Sequence, residues 1–234
     1  MRIKFIALLL IISPIFFSAI PPLPTLFVIG DSISFHYGPF LKKYLEGHFI
    51  VDSKKDNGET AKNLDVPVGG NSGNSHMVVE FLKTKFKDPN FKPDYLLLNC
   101  GLHDIKHNPP NGKMEVDEKE YRDNLTTIVK MLNDREIKLI WVRTTPVVDS
   151  IHNRHVNPST GFLRYAVDVD KYNQIADEIC KKNSVPEIDL FSFTRQLGNG
   201  QFQDHVHYKE PARALQAAYI AGFIQNYVDR INHK

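Results

Sequence analysis

Cysteine is scarce in this 234-residue chain, which holds only Cys100 and Cys180. Two cysteines allow one bridge at most, so the fold must rest on a packed core rather than a disulfide framework. Cys100 ends an apolar strand and Cys180 falls on the apolar face of a helical pattern. Both read more readily as small buried apolar residues than as a bridge. Low-complexity tracts and repeats of solenoid spacing are also missing. Hydrophobic residues at 42% and charged residues at 24% exclude a disordered chain. No paired metal motif of the His-Glu-x-x-His kind occurs. His103, His107, His152, His155, His205 and His207 are scattered over three loops, so neither a metal nor a cofactor is expected. Surplus charge is lacking too, the formal balance being only +2.

One apolar run stands out, at the N-terminus. Arg2 and Lys4 precede Phe5 to Ile12, then Pro14, then Ile15-Phe16-Phe17-Ser18-Ala19. A basic start, a short apolar centre and small closing residues read as a secretory signal peptide over residues 1–20. Pro14 interrupts the stretch, and a membrane span needs about 20 uninterrupted apolar residues. An uncleaved N-terminal anchor is the alternative. The expectation is a secreted or periplasmic protein whose single domain spans 21–234. Without residues 1–20 the chain loses two cations and no acid, so its formal charge falls from +2 to 0. A neutral surface gives no electrostatic reason to bind nucleic acid or anionic membrane, and favours a small-molecule or glycan substrate.

The remainder alternates strand and helix patterns. Leu26 to Ile29, Phe49 to Val51, Tyr95 to Leu98, Leu139 to Val142 and Glu187 to Leu190 read as five strands, the longer ones apolar throughout, as burial on both faces demands. Helices are expected over 39–47, after Ser75, after the Asp117/Glu120 capping box, around Tyr172 to Asn183 and from Pro211 onward. In the last helix Leu215, Ala218, Tyr219, Gly222 and Phe223 are expected to face inward. Residues 52–75 and 144–166 read as long loops. Such alternation implies an α/β fold: a three-layer α/β/α sandwich around a mostly parallel, about five-stranded sheet.

In that architecture, ligands bind beyond the carboxyl ends of the strands. Three polar segments fall on that edge. Gly30-Asp31-Ser32 follows the first strand, Gly101 to Asp104 the third, and Asp204 to His207 the fifth. A serine needs a base, and an imidazole needs a carboxylate to fix its tautomer, so Ser32, His207 and Asp204 form a candidate catalytic set. Oxyanion donors are expected from the Ser32 and Gly70 backbone N–H groups and from His103. His36, Tyr37 and His205 are candidate pocket residues. Asp31 and Asp104 read as bracing groups.

These motifs resemble the SGNH hydrolases, the GDSL esterases and lipases, over nearly the whole span from Phe27 to about Ile224. Gly30-Asp31-Ser32 looks like the first block of that family, Gly70-Asn71-Ser72-Gly73 like the second, and Asp204-x-x-His207 like the last. The resemblance implies a flavodoxin-like fold, a serine nucleophile at Ser32, an oxyanion role for Gly70, and no cofactor. Gly101-Leu102-His103-Asp104 stands where the family has Gly-x-Asn-Asp, so histidine replaces the usual asparagine donor. Removal of acetyl or other short acyl groups from a carbohydrate is the leading expectation. Lipid or aryl ester hydrolysis, acyl transfer by the same triad, and a catalytically impaired carbohydrate-binding role are the alternatives.

Overall fold

The computed structural model describes residues 22–108, 112–154 and 161–232; the signal-like stretch 1–20 and His155 lie outside them. In chain order the elements are β1 (Thr25–Ile29), α1 (Ser32–Tyr44), β2 (Ile50–Ser53), α2 (Ser75–Lys85) and β3 (Tyr95–Leu98). There follow β4 (His107–Asn108), β5 (Lys113–Met114), α3 (Glu118–Asn133), β6 (Lys138–Val142) and α4 (Asp149–His152). The chain continues through α5 (Ala166–Lys182), β7 (Glu187–Ile188), α6 (Leu190–Gln196) and α7 (Glu210–Asn232).

Five strands form one parallel sheet in the order β2-β1-β3-β6-β7. Its central strands are buried on both faces, which explains why their sequences are apolar without alternation. α1 packs with α7, and α6 joins α7, while α2, α3 and α5 pack together. The result is the three-layer α/β/α sandwich expected from the alternation of patterns. Leu26, Ile29, Leu96, Leu97, Leu98, Ile140 and Val142 fill the middle layer. Cys100 and Cys180 are both free and buried. No helix among the described residues is long and apolar enough to cross a membrane.

Local chemistry sets the helix starts. Asp117 accepts the Glu120 N–H at 2.8 Å and caps α3, as the capping-box pattern implies. Asn74 caps α2 by accepting the Met77 N–H at 2.9 Å. Several boundaries differ from the sequence reading. α1 begins at Ser32 rather than Pro39, because the Asp31 side chain accepts the Ile33 N–H at 2.9 Å and caps it there. Pro39 lies inside this helix; its fixed φ suits a helical interior as well as a start, at the cost of one hydrogen bond. The fifth strand stops at Ile188, since Asp189 accepts the Ser192 N–H at 3.1 Å and starts α6 immediately.

The inward face of α7 also differs. Ala212, Gln216, Ala217, Ile220, Ala221, Ile224 and Val228 are buried, whereas Leu215 and Tyr219 are 48% and 37% exposed. Ala218 and Gly222 are exposed as well, and Phe223 is half-buried. Apolar residues occur on all sides of this helix, so periodicity alone does not select a face. Packing against α1 selects the side rich in alanine, where two helices can approach closely. Tyr219 instead stacks on Phe193 of α6, ring centroids 4.3 Å apart.

Candidate active site

β1 ends at Ile29, and the chain turns through Gly30 into α1. A side chain at Gly30 would put its Cβ 1.8 Å from Ser34 Oγ, so only glycine allows this turn. The Gly30 carbonyl accepts the Ser72 N–H at 2.8 Å, which ties the 54–74 loop to the end of the first strand. Next door, the β1–β3 ladder continues as the Asn99 N–H donates to the Ile29 carbonyl at 3.1 Å. Ser32 is thereby the first residue of α1, 3% exposed, at the carboxyl edge of the sheet.

His207 reaches it from the far end of the chain. His207 Nε2 lies 2.9 Å from Ser32 Oγ, and His207 Nδ1 lies 2.9 Å from Asp204 Oδ2. Asp204 Oδ1 also accepts the backbone N–H groups of Val206 and His207, at 2.9 and 2.8 Å. Burial alone would raise the Asp204 pKa. The His207 bond and those two backbone donors outweigh it and hold the carboxyl well below the ordinary value. An ionised Asp204 accepts from Nδ1–H, which leaves Nε2 with the lone pair that faces the serine hydroxyl.

Gly70 does not face this pair. Its N–H donates to Thr60 Oγ1 at 2.8 Å and to Asp56 Oδ1 at 3.2 Å, so it is unavailable to an oxyanion. The loop carries three glycines within five residues, and spacing alone could not say which one approaches the serine. Gly73 (φ 71°) is the one that precedes the α2 cap. Asn71 stands between them and is fully buried. Its Oδ1 accepts the Gly73 N–H at 3.0 Å, which fixes the amide orientation. Its Nδ2 then donates to the Leu64 carbonyl at 2.9 Å and points at His103 Nε2 at 3.4 Å.

That orientation has a consequence for His103. An amide N–H towards Nε2 favours the tautomer with the ring proton on Nδ1, although Nδ2 also lies 3.4 Å from the Val66 carbonyl. His103 is 3% exposed, and burial, then the charges of Lys106 and Arg164, keep its pKa well below the usual value. The ring is neutral at working pH and offers one N–H. The Ser32 N–H is the second donor at hand, having no acceptor among the described residues.

The three pocket candidates separate. His36 is half-buried and its ring stands edge-on to His207, centroids 5.5 Å apart. Burial, then the charge of Arg213, lowers its pKa to about 4, so it is neutral beside the base. Tyr37 is not a pocket residue: it is 1% exposed and belongs to the core, one helical position round from the face that carries Ser32 and His36. His205 packs edge-on to His207 at 5.6 Å, and its Nε2 bonds Asp65 Oδ2 at 2.9 Å. Asp65, Lys106 and Arg164 escaped the sequence reading because each is a lone polar residue in an irregular loop; His152 behind them was noted only as one of the scattered histidines.

Asp31 and Asp104 brace the site from below. Asp104 Oδ1 accepts the Ser75 N–H at 2.9 Å, joining the loop after β3 to the start of α2. Burial raises both carboxyl groups, Asp104 to about 7. Asp204, His205 and His207 also place three ligand atoms within 4.8 Å of one another. Both nitrogens of His207 are already engaged there and His205 is held by Asp65, so a cation would have to break the relay. A groove of about 430 Å³ is lined by residues including Phe35, Pro39, Val51, Asp56 and Gly70. It includes neither Ser32 nor His207, so the hydrogen-bonded relay, not the groove, locates the chemistry.

Comparison with known proteins gives one family match and several likenesses of fold. The family model of the GDSL-like lipase/acylhydrolases matches residues 28–212. No curated protein matches the sequence. Among solved structures, a lipase/acylhydrolase from Enterococcus faecalis is similar at 15% identity and TM-score 0.65, covering 88% of this chain and 97% of that one. A GDSL-like lipase from Bacteroides thetaiotaomicron is similar at 15% identity and TM-score 0.61, with 87% and 88% covered. An acetylxylan esterase from Geobacillus stearothermophilus shares 16% identity and TM-score 0.58, with 84% and 92% covered. At these identities the likeness is one of fold, while the family match spans most of the sequence. The chain therefore belongs to the GDSL-like lipase/acylhydrolase family.

Proposed function

We propose that this protein is an exported serine esterase that removes acetyl or other short acyl groups from a carbohydrate. The observation that carries the reading is the relay from Asp204 through His207 to Ser32, with both contacts at 2.9 Å. In the proposed reaction, Ser32 Oγ attacks the ester carbonyl carbon as its proton moves to His207 Nε2. The tetrahedral oxyanion is held by the Ser32 N–H and by His103 Nδ1–H, with Asn71 keeping the proton on that nitrogen. Collapse expels the alcohol, which takes the proton from His207. Water then repeats the sequence on the acyl-enzyme and frees the acid. Ionised Asp204 steadies the imidazolium at both stages.

Support for the sugar ester comes from the neutral formal charge of residues 21–234 and from the fold shared with an acetylxylan esterase. Export rests on the signal-like residues 1–20. The test is release of 4-nitrophenol from 4-nitrophenyl acetate, followed by acetate release from a panel of acetylated sugars and of longer acyl esters. Ser32→Ala should cut turnover about 10⁴–10⁶-fold. Retained turnover in that variant would remove the serine mechanism. Transfer of acetyl to added sugar in preference to water would make the protein a transferase.

A further inference from the structure

Beside the relay lies a group of charges that acyl transfer does not use. Arg164 and Lys106 are 1% and 9% exposed, yet each carries a cationic head. Phe162 lies against both, with Lys106 Nζ 4.2 Å and the Arg164 guanidinium carbon 4.6 Å from its ring centroid. Their hydrogen-bond partners are neutral. Arg164 Nε donates to the Leu102 carbonyl at 2.6 Å, and Nη1 donates to His152 Nε2 at 3.0 Å. Lys106 Nζ donates to the Asp65 backbone carbonyl at 2.9 Å. Among the described residues, one carboxylate lies within ion-pair range of either cation: Asp65, 3.9 Å from Arg164 Nη1. That carboxylate is already bonded to His205. Arg164 Nη2 has no hydrogen-bond partner among the described residues.

Two buried cations thus share one carboxylate at ion-pair range, with Asp31, Asp204 and Glu115 acting on them only from farther off. Leaving a buried charge uncompensated costs several kcal/mol. Burial lowers the pKa of Lys106 to about 8 and that of Arg164 to about 10. His152 offers no negative charge, since burial and then Arg164 drive its pKa to about 3. Beside these buried heads, Phe162 is half-buried and Asp65 is partly exposed.

The position of the cluster says which part of a substrate would meet it. His207 Nε2 must deliver its proton to the departing alcohol oxygen, so the alcohol lies along the rings that flank His207. One of these is His205, whose ring also packs edge-on against His152 at 4.7 Å. The cluster continues directly behind it through Asp65 and Arg164. Resting on the esterase reading above, we propose that Arg164 and Lys106 form a subsite for a carboxylate on the alcohol portion of the ester, so that the acylated sugar is an acidic one of the uronate type. The carboxylate takes Arg164 Nη2 and the Lys106 N–H groups that have no partner among the described residues, completing the guanidinium fork. Recognition of this kind is local, which fits a chain of no net charge over residues 21–234.

The test compares two substrates that differ by one charge: methyl O-acetyl-glucuronoside as the free acid, and the same compound as its methyl ester. Wild-type protein at pH 7 should favour the acid at least tenfold in kcat/KM, with the difference carried by KM. Lys106→Met should bring that ratio towards one. Should Lys106→Met fail to fold, inhibition of wild-type 4-nitrophenyl acetate hydrolysis by free glucuronate, with glucose inert, reads the same subsite. A ratio of one or below in the wild type, or inhibition by inorganic sulfate as strong as by glucuronate, would overturn the carboxylate assignment. Absence of Ser32-dependent 4-nitrophenyl acetate hydrolysis would instead remove the esterase reading itself.

Discussion

Replacing Asp104 by asparagine should make the protein more stable at neutral pH, and the gain should depend on pH. Asp104 is fully buried, and its Oδ1 accepts the Ser75 N–H at 2.9 Å while Oδ2 has no partner among the described residues. Burial raises its pKa from 3.8 to about 7 in the fold. The unfolded chain therefore releases this proton near pH 4 and the folded chain only near pH 7. Below pH 4 both forms are protonated and nothing is lost. As pH rises towards 7 the unfolded state is favoured progressively, and above pH 7 the penalty is complete. Three pKa units correspond to about 4 kcal/mol, of which about 2–3 kcal/mol accrues between pH 5 and pH 8. Asparagine keeps the acceptor for Ser75 and cannot ionise, so Asp104→Asn should gain about 2–3 kcal/mol on the wild type between those two pH values. Urea denaturation of both proteins at pH 5 and pH 8 measures the difference directly, and the melting temperatures should diverge by roughly 4–12 °C. Parallel pH profiles for the two proteins would refute the buried, protonated carboxyl.

His103→Ala should lower kcat about 10²–10³-fold with little change in KM, and His103→Asn should recover part of it, since an amide also donates; steady-state kinetics on 4-nitrophenyl acetate decide this. Asn71→Leu should reduce kcat in the same direction and shift the His103 ring nitrogens in a nitrogen-15 NMR spectrum, because the tautomer loses the contact that fixes it. An unchanged spectrum would deny Asn71 that role. On α7, Ile224→Ala should cost about 2–5 kcal/mol of stability, whereas Leu215→Lys should stay within about 0.5 kcal/mol; chemical denaturation separates the two faces.

The sheet was legible because its central strands are apolar on both sides and each ends in a polar loop. That pattern pointed to the carboxyl edge, where Ser32 and His207 meet. Short-range capping was legible at Asp117, where the partner lies three residues away, and missed at Asp31, where Pro39 offered a competing start. The α7 face was misjudged since apolar side chains surround the helix, and a partner helix far away in sequence selects among them. Gly70 was chosen among three glycines that differ only in what they touch. Asp65, Lys106 and Arg164 carry no motif at all. Their relation exists only once three loops are folded together.

Ser32 opens α1, and His207 stands three residues before α7 begins; the two helices pack against each other along the same side of the sheet. The nucleophile and its base are therefore two ends of a single helical interface. Ala212, Ala217, Ile220, Ala221 and Ile224 are buried along α7, so packing remote from the substrate bears on their 2.9 Å separation, as Asp204 does. A loosened α7 would disarm the enzyme before it melted it.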